Sequence, residues 1–169
     1  MPQNDFSHAL RLFKTPNVSR MFASYLITYM GTAMAPIAMA FGVLDLTGST
    51  ADAAFVIAAP TVAGIVVLLI GGAVADRTSR QKVIFFAELL AMFAQISMAF
   101  LFLSGLATIA WLTFFMLING VAIAFNAPAA TGLIIQLVDR EDLKTANAIL
   151  GTARHGAIAI GAVLGGLLV

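Results

Sequence analysis

The feature that most constrains this chain is a series of long apolar stretches, broken only by short polar segments. Hydrophobic residues make up 61% of the sequence and charged residues 10%, whereas about 25% of the residues in a soluble domain are charged. An apolar stretch of roughly 18 or more residues can cross the hydrocarbon core of a bilayer as a helix. The composition therefore predicts an integral membrane protein surrounded by lipid.

Five such stretches can be drawn, and their periodicity is helical, with no alternation at period two that would predict a barrel. They cover residues 21–44, 53–75, 83–103, 107–125 and 149–169. Asn126-Ala127-Pro128 is predicted to end or kink the fourth helix, because proline lacks a backbone N–H. Residues 133–150 are predicted to form a partly amphipathic stretch, and residues 1–20 a polar cytoplasmic segment. The predicted fold is an all-α bundle of about five transmembrane helices.

The basic residues predict how this bundle lies in the membrane. If the chain crosses five times, all nine lysines and arginines fall on one side, and the opposite loops carry only Asp45 and Asp52 as charged residues. The basic residues are Arg11, Lys14, Arg20, Arg77, Arg80, Lys82, Arg140, Lys144 and Arg154. Because cytoplasmic loops are enriched in Lys and Arg, the N-terminus is predicted to be cytoplasmic and residue 169 to lie outside.

Several function classes lack support in the sequence. The chain has no cysteine, which excludes thiolate metal sites and cysteine nucleophiles, and a net charge of +1 gives no indication of nucleic-acid binding. No metal-ligand cluster, phosphate-binding glycine loop or catalytic triad is visible. We therefore expect neither an enzyme nor an ATP-driven pump, and we expect no cofactor, metal or nucleic-acid partner.

A charged cluster, Asp76 to Lys82, interrupts the apolar sequence between the second and third stretches. Asp76 falls at the C-terminal end of a predicted helix, where the helix dipole disfavours a carboxylate, so it needs a hydrogen-bond donor. A solvated loop is the simpler interpretation. The spacing Gly72-x-x-x-Asp76-Arg77-x-x-Arg80, followed by Lys82, favours a functional one.

This spacing resembles the G-x-L-A-D-R-x-G-R-[RK] signature between the second and third helices of the major facilitator superfamily. The sequence departs from it at three positions, with Val74 in place of Leu, Ser79 in place of the second Gly and Gln81 in place of a basic residue. The resemblance implies that Gly72, Asp76, Arg77, Arg80 and Lys82 form a gating motif. Within it, Asp76 and Arg80 are expected to make contacts that break in one transport state.

Other segments resemble the exporter-like branch of that superfamily, which includes enterobactin-type siderophore exporters. They are residues 44–49, 120–128 and 137–148, and the sequence Gly161-Ala162-Val163-Leu164-Gly165-Gly166. The last resembles the G-P-x-x-G-G signature of helix five, with Ala162 in place of the proline. The arginine often found in helix four is absent, and Asn119-Gly120 stands near its place. The likeness thus supports a transporter more strongly than it supports proton antiport.

The resemblance implies the N-terminal part of a twelve-helix secondary transporter, with a small-molecule substrate, an export function and a place in the bacterial plasma (inner) membrane. The chain ends inside an apolar run, so we expect further helices of the same transporter to follow as its partners. A competing hypothesis is a small, complete membrane subunit that acts through helix contacts without transporting. That hypothesis explains the glycines but not the spacing from Gly72 to Arg80.

Polar side chains within the apolar stretches are candidates for the substrate cavity or for ion coupling, because such residues are costly in lipid. Glu88 and Gln95 are seven residues apart on the third stretch, and Asn119 and Asn126 are seven apart on the fourth. Hydrogen bonding between helices is the alternative for each. Glu88 is expected to face the bundle interior, with Arg154 as a possible partner. Arg154 could instead extend to the cytoplasmic interface.

Overall fold

The computed structural model describes residues 16–168, and the side chains of all of these except Asn17 and residues 69–77. This part of the chain forms five α-helices and no strand. They are α1 (Pro16–Thr47), α2 (Thr50–Arg77), α3 (Arg80–Leu103), α4 (Ile109–Leu137) and α5 (Leu143–Leu167). Each contains a segment long and apolar enough to cross a membrane. The prediction of an all-α membrane fold with five spans is confirmed.

Short turns with identifiable signals separate the first helices. Gly48, which has a φ of 69°, follows α1, and its N–H donates to the Leu44 carbonyl at 2.7 Å. Ser49 then caps α2, since its hydroxyl accepts a hydrogen bond from the Asp52 N–H at 3.2 Å. A glycine beyond the last turn and a serine N-cap satisfy backbone groups that a helix end leaves unpaired.

The helices are longer than the apolar stretches, because they continue into polar residues at their ends. Helix α4 passes through Asn126-Ala127-Pro128, where the sequence predicted an end or a kink, and stops at Leu137. Inside a membrane bundle a proline is tolerated in a helix because neighbouring groups satisfy the backbone it leaves free. The predicted amphipathic stretch is divided between the end of α4, a turn and the start of α5.

By its packing the chain divides into two units, which we describe separately. The unit of residues 39–133 contains the end of α1, all of α2 and α3, and most of α4. Val43, Val56 and Leu112 are completely buried in its core. The other buried core residues are Met39, Ala53, Ala59, Met98, Ala107 and Met116.

Within this unit, α2 approaches α4 closely at a glycine. A Cβ atom added to Gly120 would lie 2.6 Å from the Cα atom of Pro60, which is closer than any real contact. Helices α3 and α4 are joined by a connection of five residues and run antiparallel, with the rings of Phe93 and Phe115 6.0 Å apart. Helix α3 also exposes Phe86 and Phe100, which are apolar side chains of the kind that lipid covers in a membrane.

The second unit consists of residues 16–38 and 134–168, and its helices are most of α1, the end of α4 and α5. Helix α5 buries one stripe of mostly small residues, namely Ala146, Leu150, Ala153, Ala157, Gly161 and Gly165. Gly161 packs against the backbone of Met30, and Gly165 packs against Met34 one turn further along both helices. Helices α1 and α5 are therefore parallel neighbours, held together where small residues let their backbones approach.

Candidate functional site

The charged cluster lies at the junction of α2 and α3. Helix α2 ends at Arg77 and α3 begins at Arg80, so only Thr78 and Ser79 connect them. The side chains of Gly72, Asp76 and Arg77 lie outside the described residues. Lys82 is exposed in the first turn of α3.

Arg80 links the start of α3 to the far end of α4. Its Nη1 atom donates a hydrogen bond to the carbonyl oxygen of Gly132. A Cβ atom at position 132 would collide with the guanidinium group, so glycine is the residue that leaves room for this contact. Gly132 lies near the C-terminal end of α4, where the helix dipole is negative and a cation is favoured. One member of the predicted gating motif is thus hydrogen bonded to another helix.

A second polar contact joins the same two helices two turns further along α3. The Nδ2 atom of Asn126 donates a hydrogen bond to Oε1 of Glu88 at 2.6 Å, and both side chains are half-buried. Buried Val83 and Ala129 pack between the two polar contacts, with Ile84 and Phe125 against them. Glu88 therefore faces α4, in a largely apolar interface.

The remaining polar candidates of α3 and α4 lie one heptad further along this interface. Gln95 is exposed and Asn119 is half-buried. Neither side chain makes a hydrogen bond within the described part of the chain. Because each pair of polar residues is seven apart on antiparallel helices, Gln95 and Asn119 lie at comparable heights, as Glu88 and Asn126 do. Only Glu88 and Asn126 are joined by a hydrogen bond.

Arg154 belongs to the unit of α1 and α5, where it contacts an aromatic residue. Its guanidinium carbon lies 5.2 Å from the centroid of the Tyr29 ring, within the range of a cation–π interaction. The Tyr25 and Tyr29 rings are themselves 5.4 Å apart. Because Glu88 and Arg154 belong to different units, their pairing stays a prediction. The sequence reasoning missed both tyrosines, although their spacing of four residues places them on one helix face.

In the helix-five motif, packing requires a glycine at Gly161, and the contact at Gly165 is tight. A Cβ atom added to Gly161 would lie 3.0 Å from the Met30 Cα atom, and one added to Gly165 would lie 3.2 Å from the Met34 Cα atom. At Gly166 it would meet nothing within 4 Å. Ala162, in place of the motif's proline, lies within a continuous helix.

Among the residues that the structure describes, no group of three or more His, Asp and Glu side chains could hold a metal ion. Two hydrogen bonds of polar side chains join helices in this part of the chain, one from Arg80 to Gly132 and one from Asn126 to Glu88.

Comparison with known proteins gives one finding. Residues 21–169 match the family described as Major Facilitator Superfamily. No match is found among curated proteins or among solved structures.

Proposed function

The chain belongs to the Major Facilitator Superfamily, a family of membrane transporters, and we propose that it forms the N-terminal part of a secondary active exporter of small molecules. The observation that carries this proposal is the junction of α2 and α3. A charged motif with the family's spacing spans the end of α2 and the start of α3, and Arg80 joins α3 to α4 through a hydrogen bond. In the proposal, five helices make up most of one six-helix half, and the second half completes the cavity.

The proposed mechanism is alternating access with the junction as a gate. Arg80 holds the start of α3 against the end of α4 through one hydrogen bond to a backbone carbonyl. Asp76 follows Gly72 by one helical turn and stands in the last turn of α2, where the helix dipole disfavours its charge unless a donor is near. If a donor reaches Asp76 in only one state of the full transporter, the contact stabilises that state and is broken in the other. Arg77 and Lys82 supply further positive charge to the junction.

Glu88 and Asn126 are the proposed coupling or cavity pair. An amide N–H can donate to a carboxylate or to the carbonyl oxygen of a carboxylic acid, so Asn126 can hold Glu88 in position in both protonation states. Gln95 and Asn119 extend the same polar line along α3 and α4 and are proposed as cavity residues. Glu88 is the one acidic residue in the sequences of α3 and α4.

The proposed orientation places the start of α1 in the cytoplasm of a bacterial cell, with the helices in its inner membrane. The support is the order of the helices: with successive crossings, the start of α1, the α2–α3 junction and the α4–α5 turn fall on one side. Arg20, Arg77, Arg80, Lys82, Arg140 and Lys144 lie there, as expected of cytoplasmic segments.

A transport assay of the full-length protein tests the proposal. The protein is reconstituted in liposomes, and uptake of radiolabelled small molecules is measured with and without an imposed proton gradient. We expect movement of at least one compound that depends on the protein and is accelerated by the gradient in the export direction. Protein-dependent movement without any response to ion gradients would contradict secondary active transport. No protein-dependent movement, with the protein correctly inserted, would favour the non-transporting subunit.

A further inference from the structure

Arg154 carries a positive charge into the middle of a membrane-spanning helix. It follows Lys144, in the first turn of α5, by ten residues, which is about 15 Å along the helix axis. The apolar helix continues beyond it to Leu167. Half the thickness of the hydrocarbon core is also about 15 Å. An arginine at this depth is costly and marks a candidate functional site.

The Arg154 side chain contacts the neighbouring helix. Because Met30 packs against Gly161 in the parallel pair of α1 and α5, Tyr29 lies further along the bundle than Arg154 does. The guanidinium group therefore contacts a ring whose residue lies on the side away from Lys144.

Within the described part of its own unit, Arg154 has no acidic partner. The acidic residues in the described part of this unit are Asp139, Glu141 and Asp142. All three come before α5, and the nearest to Arg154 in the sequence, Asp142, precedes it by twelve residues. The Tyr29 ring offers a cation–π contact at 5.2 Å, and the Tyr25 ring lies beside that of Tyr29. Neither supplies a negative charge. Arg154 as a residue is also exposed in the described part of the chain, so a ligand can reach its side chain.

From this cluster we propose that Arg154, Tyr29 and Tyr25 form an anion subsite for an aromatic oxyanion, an inference that rests on the proposed transport function. The guanidinium fork matches the two oxygens of a carboxylate, sulfonate or phosphate. The two tyrosine rings, tilted by 60° to each other, offer a face and an edge to a planar ring held beside that anion. A lipid phosphate has the same chemistry, but headgroups lie about 15 Å away from the middle of the bilayer.

Binding of two probes with the same ring and opposite permanent charges tests this inference. They are 2-naphthalenesulfonate and N,N,N-trimethyl-2-naphthylammonium, measured against the purified full-length protein in nanodiscs of phosphatidylcholine. We expect the sulfonate to bind at least about tenfold more tightly than the ammonium compound. In Arg154→Gln we expect the sulfonate affinity to fall by about tenfold or more, since a charge-assisted contact is lost. Sulfonate binding no tighter than ammonium binding in the wild type would overturn the proposal.

Matched variants separate the subsite from general effects. Arg154→Lys keeps the charge without the planar fork, so it should retain the preference for the anion with weaker binding. Tyr29→Leu should weaken sulfonate binding by several-fold, whereas Tyr29→Phe, which keeps the ring, should weaken it less. Lys144→Gln removes a cation from the first turn of the same helix and should leave the affinity unchanged. An equal loss in Lys144→Gln and Arg154→Gln would assign the effect to net charge and would overturn the subsite.

Two further measurements distinguish the sources of failure. Adding phosphatidylglycerol to the nanodiscs should not compete with the sulfonate. Competition, together with phosphatidylglycerol that co-purifies with the wild type but not with Arg154→Gln, would assign Arg154 to lipid and overturn the substrate subsite. Charge-selective binding that depends on Arg154, without transport in the liposome assay, would leave the subsite standing and contradict the proposed transport function.

Discussion

Asn126 and Glu88 are hydrogen bonded at 2.6 Å, from Nδ2 to Oε1, although 38 residues separate them in the chain. This contact joins α3 to α4. Along α3 it lies between Arg80, which donates a hydrogen bond to Gly132, and the exposed Gln95. A polar pair in an apolar interface fixes the register of two helices, because a shift of one residue would leave both groups unpaired in a low-dielectric environment. In the proposed mechanism, the same pair holds the carboxyl group in position.

Replacing Glu88 with glutamine tests whether this carboxyl group takes part in coupling. Glutamine keeps a carbonyl oxygen that can accept from Asn126, so the helix contact and the fold should persist. It cannot bind and release a proton. We expect the transport rate of Glu88→Gln to lose its dependence on pH, measured in liposomes from pH 5 to 9 as in a usual pH profile.

Gln95→Leu serves as the control for this variant, because Gln95 is a proposed cavity residue of the same helix whose amide cannot bind and release a proton. Its pH profile should match that of the wild type. A Glu88→Gln protein with unchanged rate and unchanged pH profile would leave Glu88 as a packing residue, and the coupling role would be withdrawn.

Asp76→Asn tests the proposed gate at the α2–α3 junction. If Asp76 stabilises one conformational state, removing its charge should slow interconversion of the states without altering the substrate site. We expect the maximal transport rate to fall by about tenfold, which corresponds to ~1.4 kcal/mol in the barrier, while the half-saturating substrate concentration stays within a factor of about two.

Asp52→Asn is the matched control, because Asp52 lies in the first turn of the same helix, at its opposite end. It should transport at nearly the wild-type rate. A large loss of affinity with normal turnover in Asp76→Asn would instead indicate direct contact between Asp76 and the substrate.

Cysteine labelling tests the orientation of the bundle, and the absence of native cysteines simplifies it. Ser79 is exposed at the α2–α3 junction, and Thr50 is exposed at the start of α2. Thr50 is preferable to Ser49, whose hydroxyl caps α2. We expect an impermeant maleimide added to intact cells to label Thr50→Cys and to label Ser79→Cys only after the cells are opened.

Ser104→Cys provides an internal check on this result, because the α3–α4 turn should lie on the same side as Thr50. Labelling of Ser79→Cys and Thr50→Cys from the same face would contradict the five-span topology. Labelling of Ser79→Cys from outside, with Thr50→Cys and Ser104→Cys protected, would reverse the orientation.

Alanine substitutions in the helix-five motif test the close contact of α1 and α5. In Gly161→Ala the new methyl group would lie 3.0 Å from the Met30 Cα atom and 3.1 Å from the Ala33 Cβ atom. Overpacking of this kind destabilises a protein by about 1–3 kcal/mol. We expect Gly161→Ala to lower the Tm of the purified protein in detergent.

Gly166→Ala is the matched variant, on the same helix and with nothing within 4 Å of the added atom in the described residues. Its Tm should equal or exceed that of the wild type, because alanine is the better helix former. Equal Tm values for the two variants would show that the backbone approach at Gly161 does not hold the two helices together.

The candidate site was only partly predictable. The heptad spacing of Glu88 and Gln95 on α3, and of Asn119 and Asn126 on α4, was visible in the sequence and indicated polar contacts between these helices. It did not show that only the pair at 88 and 126 would be joined. The contact of Arg80 with Gly132 had no signal of its own, because a backbone carbonyl is the same at every residue. The tyrosines beside Arg154 could have been found from their spacing of four.

The sequence by itself determined that the chain forms five membrane-spanning helices. Lipid offers no hydrogen bonds to the backbone, so an apolar stretch of sufficient length, without the period-two alternation of a barrel strand, forms a helix. The tertiary structure decided what local composition does not encode: that α4 continues through Pro128, that Glu88 is held by Asn126, and that Arg154 contacts Tyr29. These depend on the rotation and height of each helix against its neighbour. Contacts at small residues such as Gly120 and Gly161 set that register, and it exists only once the helices have packed.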